Sequence, residues 1–490
     1  MPPVVGARRV SRLSLAPLDI ALIGSYLIAL MVVGFWRRRT SADDYLIASR
    51  SLSLPVFVAT LVATWYGGIL AIGEFTYGMG LLNWTTQALP YYLCAVAFAL
   101  LLAPRIRQAA LLTIPDKLER DYGRGAAVLG AVCAFILCSP APYVLMIGHL
   151  VVMLTGWPLL PAIVAGTLAS VLYVYAGGFR ADVRINVLQF VLMFAGFGIT
   201  VAICATQLGG YTWLVENLPP DHLRLDGGQD AAFVGVWFMI ALWTFVDPGF
   251  HQRCYAARTP SIARNGVLIA VVCWATFDLL TTTTGLYARA AIPNLPPEQH
   301  GYAFPMLAEH VLPAGVRGVF IVAMLATVMS TVVSYTFLAA LTIGRDALWR
   351  LSHHRDESRV TAYTRGGMVL AACWSVAIAL LVPSAVRQWY MLATVVVPGL
   401  LLPVLSGYFP ALRISPRMAA TAIVAGSGTS TACLVSGWLT SPQGIYAVTA
   451  DFPLGMQPMA PGLLASAGVF AAGLMSRVIA ARRSGGRGMP

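Results

Sequence analysis

The stretch LVATWYGGILAIGE, Leu61 to Glu74, lies inside an apolar segment that is long enough to cross a bilayer. Glycine is a poor helix former, so the consecutive pair Gly67 and Gly68 weakens the predicted helix at its middle. Unwinding a helix at membrane depth frees backbone carbonyls, which can coordinate a sodium ion. The two glycines are equally compatible with a close contact between helices and nothing more. The stretch alone leaves both interpretations open.

The composition of the whole chain indicates an integral membrane protein. Of its 490 residues, 58% are hydrophobic and only 11% are charged, and the mean hydropathy is +0.75. The net charge of +12 does not predict nucleic-acid binding, because the basic residues recur between apolar segments instead of forming a patch. The eight cysteines are scattered without a Cys-x-x-Cys pair, so neither a disulfide framework nor a metal site is expected.

Thirteen apolar segments have suitable lengths, at ~20 residues for each crossing. They are Leu18–Trp36, Leu54–Tyr77, Leu81–Leu102, Ala126–Leu154, Leu159–Ala176, Ile185–Ala205, Ala232–Val246, Val267–Ala290, Gly318–Ile343, Met368–Val382, Trp389–Pro410, Met418–Leu439 and Leu463–Val478.

The distribution of basic residues predicts the direction of the chain in the membrane. With the N-terminus outside, 25 of the 32 Lys and Arg residues fall in the connections that face inward. Arg8, Arg9 and Arg12 oppose this orientation, but they are few. An odd number of crossings then places the C-terminus in the cytoplasm.

A second polar stretch, LATVMSTVVSYTFLAALTIGRD, runs from Leu325 to Asp346. Its hydroxyl residues Thr327, Ser330, Thr331 and Ser334 follow the i, i+3, i+4, i+7 spacing of one helical face. Hydroxyl oxygens are hard ligands that suit a hard cation. The alternative is that these hydroxyls only bond to the preceding turn of their own helix.

Two further features have chemical meaning at membrane depth. In LWTFVDPGFHQR, the run Asp247-Pro248-Gly249 predicts a helix break, with a simple turn at the membrane edge as the alternative. The acids Glu74 and Asp278 lie among aromatic residues, a combination that suits an amine or another cationic solute. For most of these rings, packing or interfacial anchoring is the simpler explanation, with Trp65 the exception.

Five motifs in order resemble the sodium/solute symporter family, from Asp44 to about Pro410. They are DDYLIASRSL, LTIPDKLERDYG, YVYAGGFRADVRINVLQ, DPGFHQRCYAARTP and MLATVMSTVVSYTFLAALTIGRDAL. The resemblance implies an all-α polytopic membrane protein of the LeuT type, with two inverted repeats of five helices among about 13 spans. The implied organisation is an N-terminal extra helix and inner linker (1–53), a first repeat (54–205), an outer loop (206–231), a second repeat (232–410), and two C-terminal helices with a cytoplasmic tail (411–490).

The resemblance also implies which residues bind sodium and solute. The sodium ligands carried over from the family are the carbonyls of Ala63, Tyr66 and Thr327 and the hydroxyls of Ser330 and Thr331. The segment ATWYGG is similar to the choline-transporter branch, in which the tryptophan contributes to a cation–π pocket. The branch's second tryptophan is replaced by Asp247. The expected solute residues are Trp65, Gly67, Gly68, Glu74, Tyr91, Trp243 and Asp247.

A departure from the family concerns stoichiometry. Members with an additional sodium site carry an aspartate and a hydroxyl at positions that are Asn186 and Val333 here, while Ser334 is kept. Losing a charge and an oxygen weakens such a site, which predicts one sodium ion per cycle.

The sequence therefore predicts a sodium-coupled symporter in the inner (plasma) membrane that imports a small amine, amino acid or quaternary ammonium compound. Its expected partners are the sodium ion, the solute and the lipid bilayer, with no cofactor and no nucleic acid. A proton-coupled carrier that titrates Glu74 or Asp278, and a transport-like membrane sensor, are the alternatives. No nucleophile–base pair, metal-spaced histidine cluster or phosphate loop stands in the sequence, so an enzyme is not expected.

Overall fold

The computed structural model describes residues 12–36, 41–350, 359–442 and 451–485, and over these ranges the protein is helical apart from one isolated bridge between Leu52 and Ala257. The α-helices are α1 (Pro17–Phe35), α2 (Ala42–Ile47), α3 (Leu54–Trp65), α4 (Ile69–Met79), α5 (Leu89–Leu101), α6 (Ala103–Ala109), α7 (Ile114–Leu137), α8 (Ala141–Thr155), α9 (Leu159–Gln207), α10 (Tyr211–Asn217), α11 (Ala231–Ile240), α12 (Pro248–Ala256), α13 (Pro260–Ala291), α14 (Ala303–Val311), α15 (Val316–Leu341), α16 (Val360–Leu381), α17 (Ala385–Tyr408), α18 (Pro416–Thr440) and α19 (Met459–Gly485). Of the basic residues that predict the orientation, those at positions 8, 9, 37–39, 355 and 487 lie outside the described residues.

Twelve helical segments of the described chain are long and apolar enough to cross a membrane, where the sequence predicts thirteen. The difference lies in α9, a 49-residue helix that contains both predicted spans between residues 159 and 205. At ~1.5 Å per residue this helix extends ~74 Å, more than twice the ~30 Å hydrocarbon core. Its backbone bends at Gly178, where φ is +60° and a Cβ would lie 2.4 Å from the carbonyl oxygen of Tyr45. The two arms of α9 coincide with the predicted spans Leu159–Ala176 and Ile185–Ala205, and thirteen crossings stay a prediction.

The first predicted helix break lies at the glycine pair. The helix α3 ends at Trp65, a 3-10 turn occupies Tyr66–Gly68, and α4 begins at Ile69. A Cβ on Gly67 would lie 2.2 Å from the side chain of Thr331, and one on Gly68 would lie 2.1 Å from the ring of Trp389. The helix changes type here, as the sequence predicts, and the missing side chains also admit two close neighbours. Coordination of sodium by carbonyls of this turn stays a prediction.

The second predicted break separates α11 from α12. A 3-10 turn spans Ala241–Phe245, and Asp247 then caps α12 by accepting a hydrogen bond from the backbone N–H of Phe250 at 2.9 Å. Pro248 occupies the first position of α12, where its missing donor costs nothing. The run Asp247-Pro248-Gly249 thus restarts a helix within one spanning segment.

The helix α15 lies in the middle of the bundle, where it packs against α9, α1, α8 and α3. Every residue from Phe320 to Leu341 is buried. Its hydroxyl residues must therefore find partners inside the protein, since water does not reach them.

Candidate ion and solute site

The hydroxyls of α15 reach across to the end of α3. Ser330 Oγ donates to the carbonyl of Ala63 at 2.7 Å, and Thr331 Oγ1 donates to the carbonyl of Thr64 at 2.6 Å. Ser330 Oγ also lies 2.7 Å from the carbonyl of Thr327. Bonding to the preceding turn alone is therefore the wrong explanation for Ser330 and Thr331, although Thr327 Oγ1 does bond only within its helix, to Met324 at 2.7 Å.

These groups form a compact set of hard oxygen atoms at the helix break. All three α15 residues are fully buried, as is Ala63. Tyr66 begins the 3-10 turn, and its hydroxyl donates to the carbonyl of Trp274 at 2.9 Å, which fixes the turn against α13. Carbonyl and hydroxyl oxygens, none of them from a carboxylate, are a donor set that fits a monovalent cation.

A central cavity of about 90 Å³ lies beside this set, and most of its lining is aromatic. The lining residues are Trp65, Tyr66, Gly68, Ile72, Gln87, Ala88, Tyr91, Tyr92, Tyr143, Trp237, Ile240, Trp243, Trp274, Asp278, Tyr335, Trp389 and Tyr390. The turn at Tyr66–Gly68 lies between the cavity and the oxygen set: Tyr66 and Gly68 line the cavity, and Gly67 packs against Thr331.

Trp65 is at the centre of the aromatic packing. Its ring meets Tyr91 and Phe250 edge-on, with centroids 5.3 Å apart in both pairs, and it lies 5.6 Å from the ring of Trp274. Edge-on arrangements of this kind are favourable between aromatic rings, and Trp65 itself lines the cavity. Aromatic faces attract cations.

Among the residues that the structure describes, Asp278 is the only charged side chain in the lining of the central cavity. It is 5% exposed and accepts a hydrogen bond from the hydroxyl of Tyr92. Two buried donors of the same lining, Gln87 Nε2 and Trp274 Nε1, lack hydrogen-bond partners within the described chain. The cavity thus offers a carboxylate and two N–H groups to a bound molecule.

The predicted solute residues occupy three different places. Trp65, Gly68, Tyr91 and Trp243 line the central cavity. Gly67 lies behind the cavity, where it packs against Thr331 of the oxygen set.

Asp247 lies behind the cavity wall. It is 1% exposed and accepts hydrogen bonds from Trp243 Nε1 at 2.9 Å and from the hydroxyl of Tyr335 at 2.8 Å. Because both donors line the cavity, Asp247 orients two of its walls without forming part of the lining.

Glu74 lines a second, wider cavity of about 850 Å³. Trp237, Ile240 and Tyr390 line both cavities and form the boundary between them. Glu74 is exposed in the wide cavity, which also holds Asp230. The wide cavity therefore leads toward the central one past two bulky aromatic side chains.

Sequence reasoning did not find several of the cavity residues. Tyr335 directly follows the polar motif of α15, and Trp389 stands at the start of a predicted span, yet neither position carries a signal of its own. Tyr143 follows the break between α7 and α8 and contacts both rings, at 5.3 and 5.8 Å. Proximity to the Ser330–Thr331 pair could have suggested Tyr335.

A polar cluster around Asn186 lies next to the oxygen set at the helix break. Its Nδ2 donates to Asp182 Oδ1 at 3.0 Å and to Ser334 Oγ at 3.3 Å, and Val333 is buried nearby on α15. Asp182 lies one helical turn before Asn186, the position at which the sequence predicts that a carboxylate is missing. No motif in the sequence singles out Asp182.

Broken helices that meet at buried oxygens beside a central cavity define a multi-pass membrane transporter of the LeuT fold. A Na+-coupled sialic acid symporter, solved in a substrate-bound outward-open state, has this fold: it aligns with 95% of this chain and 98% of its own length, with a TM-score of 0.72 and 16% identity. The model of the sodium:solute symporter family matches residues 45–407, and the chain belongs to that family.

Relatives in this family transport different solutes. The chain is 21% identical to high-affinity choline transporter 1 of Caenorhabditis elegans over 415 residues, which cover 77% of this chain and 71% of the relative. It is 24% identical to the sodium/pantothenate symporter of Escherichia coli over 382 residues, covering 71% and 78%. These relatives are transporters and not enzymes, and their names differ in the solute.

Proposed function

We propose that this protein is a sodium-coupled symporter that imports a small organic solute with a positively charged amine or ammonium group. The single observation that carries the proposal is the junction of α3 and α15, where Ser330 and Thr331 meet the carbonyls of Ala63 and Thr64 at 2.7 and 2.6 Å beside the aromatic cavity. One set of atoms thus suits the coupling ion and the adjacent cavity suits the solute.

Sodium would bind to the carbonyls of Ala63, Tyr66 and Thr327 and to the two hydroxyls. Each hydroxyl now donates its proton to a carbonyl, and it can rotate so that its lone pairs face an ion instead. The ion would then join α3 to α15 more firmly than two neutral hydrogen bonds do, since charge-assisted contacts are stronger.

The solute would bind in the central cavity. Trp65 and its neighbours offer ring faces, and Asp278 offers a negative charge. The unpartnered N–H groups of Gln87 and Trp274 would donate hydrogen bonds to an oxygen atom of the solute. An amino acid or a hydroxyl-bearing ammonium compound satisfies both requirements.

The transport cycle follows from the shared turn at Tyr66–Gly68. Sodium binding from outside would order this turn and the cavity wall. The solute would then close the boundary between the two cavities at Trp237 and Tyr390. The two repeats (54–205 and 232–410) would finally rock to open the cytoplasmic side. The membrane potential drives the ion inward, at ~2.3 kcal/mol for each charge per 100 mV. This direction requires the proposed orientation in the plasma membrane, with the N-terminus outside and the C-terminus in the cytoplasm.

The test is the double substitution Ser330→Ala with Thr331→Ala, measured by solute uptake into proteoliposomes with an inward sodium gradient. We expect sodium-dependent uptake to be lost, because both hydroxyl ligands are removed. Thr342→Ala is the matched control: its hydroxyl lies on the same helical segment, is equally buried, and bonds only within it, to Leu338 at 2.9 Å. Undiminished sodium-coupled uptake by the double variant contradicts the proposal.

A proton-coupled carrier of the same fold is the second candidate, and the buried carboxyl of Asp278 in the cavity is the observation that favours it. Replacing sodium by potassium at fixed pH separates the two. A proton-coupled carrier keeps its uptake under an imposed pH gradient in potassium alone, whereas the sodium-coupled symporter loses it.

A further inference from the structure

A buried arginine contacts three helices beside the proposed sodium site. Arg253, on α12, is 0% exposed. Its Nη2 donates to Thr64 Oγ1 at 2.6 Å and to Ser334 Oγ at 3.1 Å, and it lies 3.5 Å from Asp182 Oδ2. The guanidinium therefore links α12 to α3, α15 and α9.

Several hard oxygen atoms surround this guanidinium. Thr64 Oγ1 and Ser334 Oγ lie 3.0 Å apart, and Ser334 Oγ donates to Asp182 Oδ1 at 2.7 Å. Two more oxygens, Asp182 Oδ2 and Asn186 Oδ1, are buried without a hydrogen-bond partner in the part of the chain that the structure describes. Hydroxyl, amide and carboxylate oxygens with one net negative charge are the ligands of a small hard cation.

This cluster and the proposed sodium site share Thr64. The Thr64 carbonyl accepts the hydrogen bond from Thr331, and the Thr64 hydroxyl accepts the one from Arg253. Ser334 lies one turn beyond Ser330 on the same face of α15. Two cation positions thus lie next to each other, and the second already holds a positive charge that belongs to the protein.

We propose that Thr64, Asp182, Asn186 and Ser334 form a second cation site, which the tethered guanidinium of Arg253 fills in place of a free sodium ion. The buried carboxylate of Asp182 requires a positive partner, and Arg253 provides it at every stage without an ion from solution. Resting on the proposed sodium coupling, the inference gives a reason for one free sodium ion per cycle. It also predicts that a second site for sodium opens when the guanidinium is removed.

The test counts sodium ions bound to the purified full-length protein, using radioactive sodium alone and no solute. We expect the wild-type protein to bind one ion per chain. In Arg253→Ala the carboxylate of Asp182 is uncompensated and space is vacated, so we expect two ions per chain. Arg253→Lys keeps a tethered cation, and Arg253→Ala with Asp182→Asn removes both charges, so each of these is expected to bind one.

The outcomes separate this inference from the proposed function. If the wild-type protein binds no sodium, the proposed function fails. If the wild-type protein and Arg253→Ala both bind one ion, as they would if Asp182 simply took up a proton, only the second-site inference is overturned.

Asp182→Asn alone keeps the inference testable if Arg253→Ala does not fold. It leaves the guanidinium uncompensated next to the proposed sodium site, and we expect the sodium affinity there to fall about tenfold. An unchanged sodium affinity in Asp182→Asn overturns the inference.

Discussion

The neighbouring glycines of the first helix break allow the proposed ion site and the proposed solute cavity to be perturbed separately. A Cβ on Gly67 would lie 2.2 Å from both Cβ and Oγ1 of Thr331, and a Cβ on Gly68 would lie 2.1 Å from Cη2 of Trp389. Gly67→Ala is therefore expected to weaken sodium binding, and Gly68→Ala to weaken solute binding.

The magnitude follows from the distances. Ordinary contact begins near 3.4 Å, so Thr331 must move by more than ~1 Å in Gly67→Ala, and overpacking of this kind costs about 1–3 kcal/mol. If the cost falls on the sodium-bound state, the sodium affinity falls by about 5- to 150-fold, at 1.4 kcal/mol for each factor of ten.

The assay is equilibrium binding of sodium to the purified protein without solute, followed by solute binding at saturating sodium. Gly24→Ala is the control, because nothing lies within 4 Å of its Cβ position on α1. A folded Gly67→Ala protein with wild-type sodium affinity refutes the placement of Thr331 against the turn, and so does a Gly68→Ala protein whose only defect is in sodium binding.

Four further predictions follow from the structure. Asp278→Asn removes the charge that Asp278 gives to the described cavity lining. It should therefore lower the affinity for a transported solute, once one is identified by sodium-dependent uptake, by at least ~tenfold, with a smaller change in sodium affinity. Equal loss of both affinities would contradict the assignment. Trp65→Phe should retain more solute affinity than Trp65→Leu, since a ring face is worth about 0.5–2 kcal/mol to a cation, and equal affinities would argue against a cation–ring contact. Gly178→Ala should lower the unfolding temperature in detergent, because φ is +60° there and Cβ would lie 2.4 Å from the carbonyl oxygen of Tyr45, whereas Gly198→Ala on the same helix meets nothing within 4 Å and should not. Burial of His222 lowers the pKa of that imidazole below its usual value; its hydrogen bond to the Tyr77 carbonyl and the charge of Asp221 oppose this shift, and Arg289 reinforces it. The folded state therefore favours the neutral ring and loses stability as the pH falls below ~6.5. The free energy of local opening near Tyr77, taken from hydrogen exchange corrected for the pH dependence of the intrinsic exchange rate, should fall on acidification in the wild-type protein and stay level in His222→Gln.

The two helix breaks and the buried hydroxyls could be predicted because each is encoded locally. Gly67-Gly68 and Asp247-Pro248-Gly249 are sequence-adjacent breakers, and Ser330 and Thr331 lie at helical spacing in an otherwise apolar segment. The family resemblance then paired the first break with the hydroxyls. The hydrogen bonds from Ser330 to the Ala63 carbonyl at 2.7 Å and from Thr331 to the Thr64 carbonyl at 2.6 Å agree with that pairing.

The cavity wall could not be predicted in full, because it is assembled from helices far apart in the chain. Tyr143 and Trp389 meet at 5.8 Å although 246 residues separate them (389 − 143), and nothing in either local sequence specifies the contact. Glu74 was expected in the solute pocket, yet its position on α4 directs it to the wider cavity.

The ion pair between Asp182 and Arg253 could not be predicted from the sequence either. The family resemblance points to Asn186, which carries no charge. Asp182, one turn earlier on α9, carries a carboxylate instead, and Arg253 on α12 compensates its charge. A charge at position 182 has meaning only when the bend at Gly178 and the restart of α12 at Pro248 bring the two side chains together.

Sodium-driven accumulation of a solute is the central claim, and one measurement tests it most directly. Proteoliposomes containing the wild-type protein are given a mixed metabolite pool under an inward sodium gradient or an equal potassium gradient, and the accumulated compounds are identified by mass spectrometry. We expect at least one amine- or ammonium-bearing compound to accumulate with sodium and not with potassium. Accumulation that follows an imposed pH gradient and ignores sodium would contradict the account and identify the protein as a proton-coupled carrier.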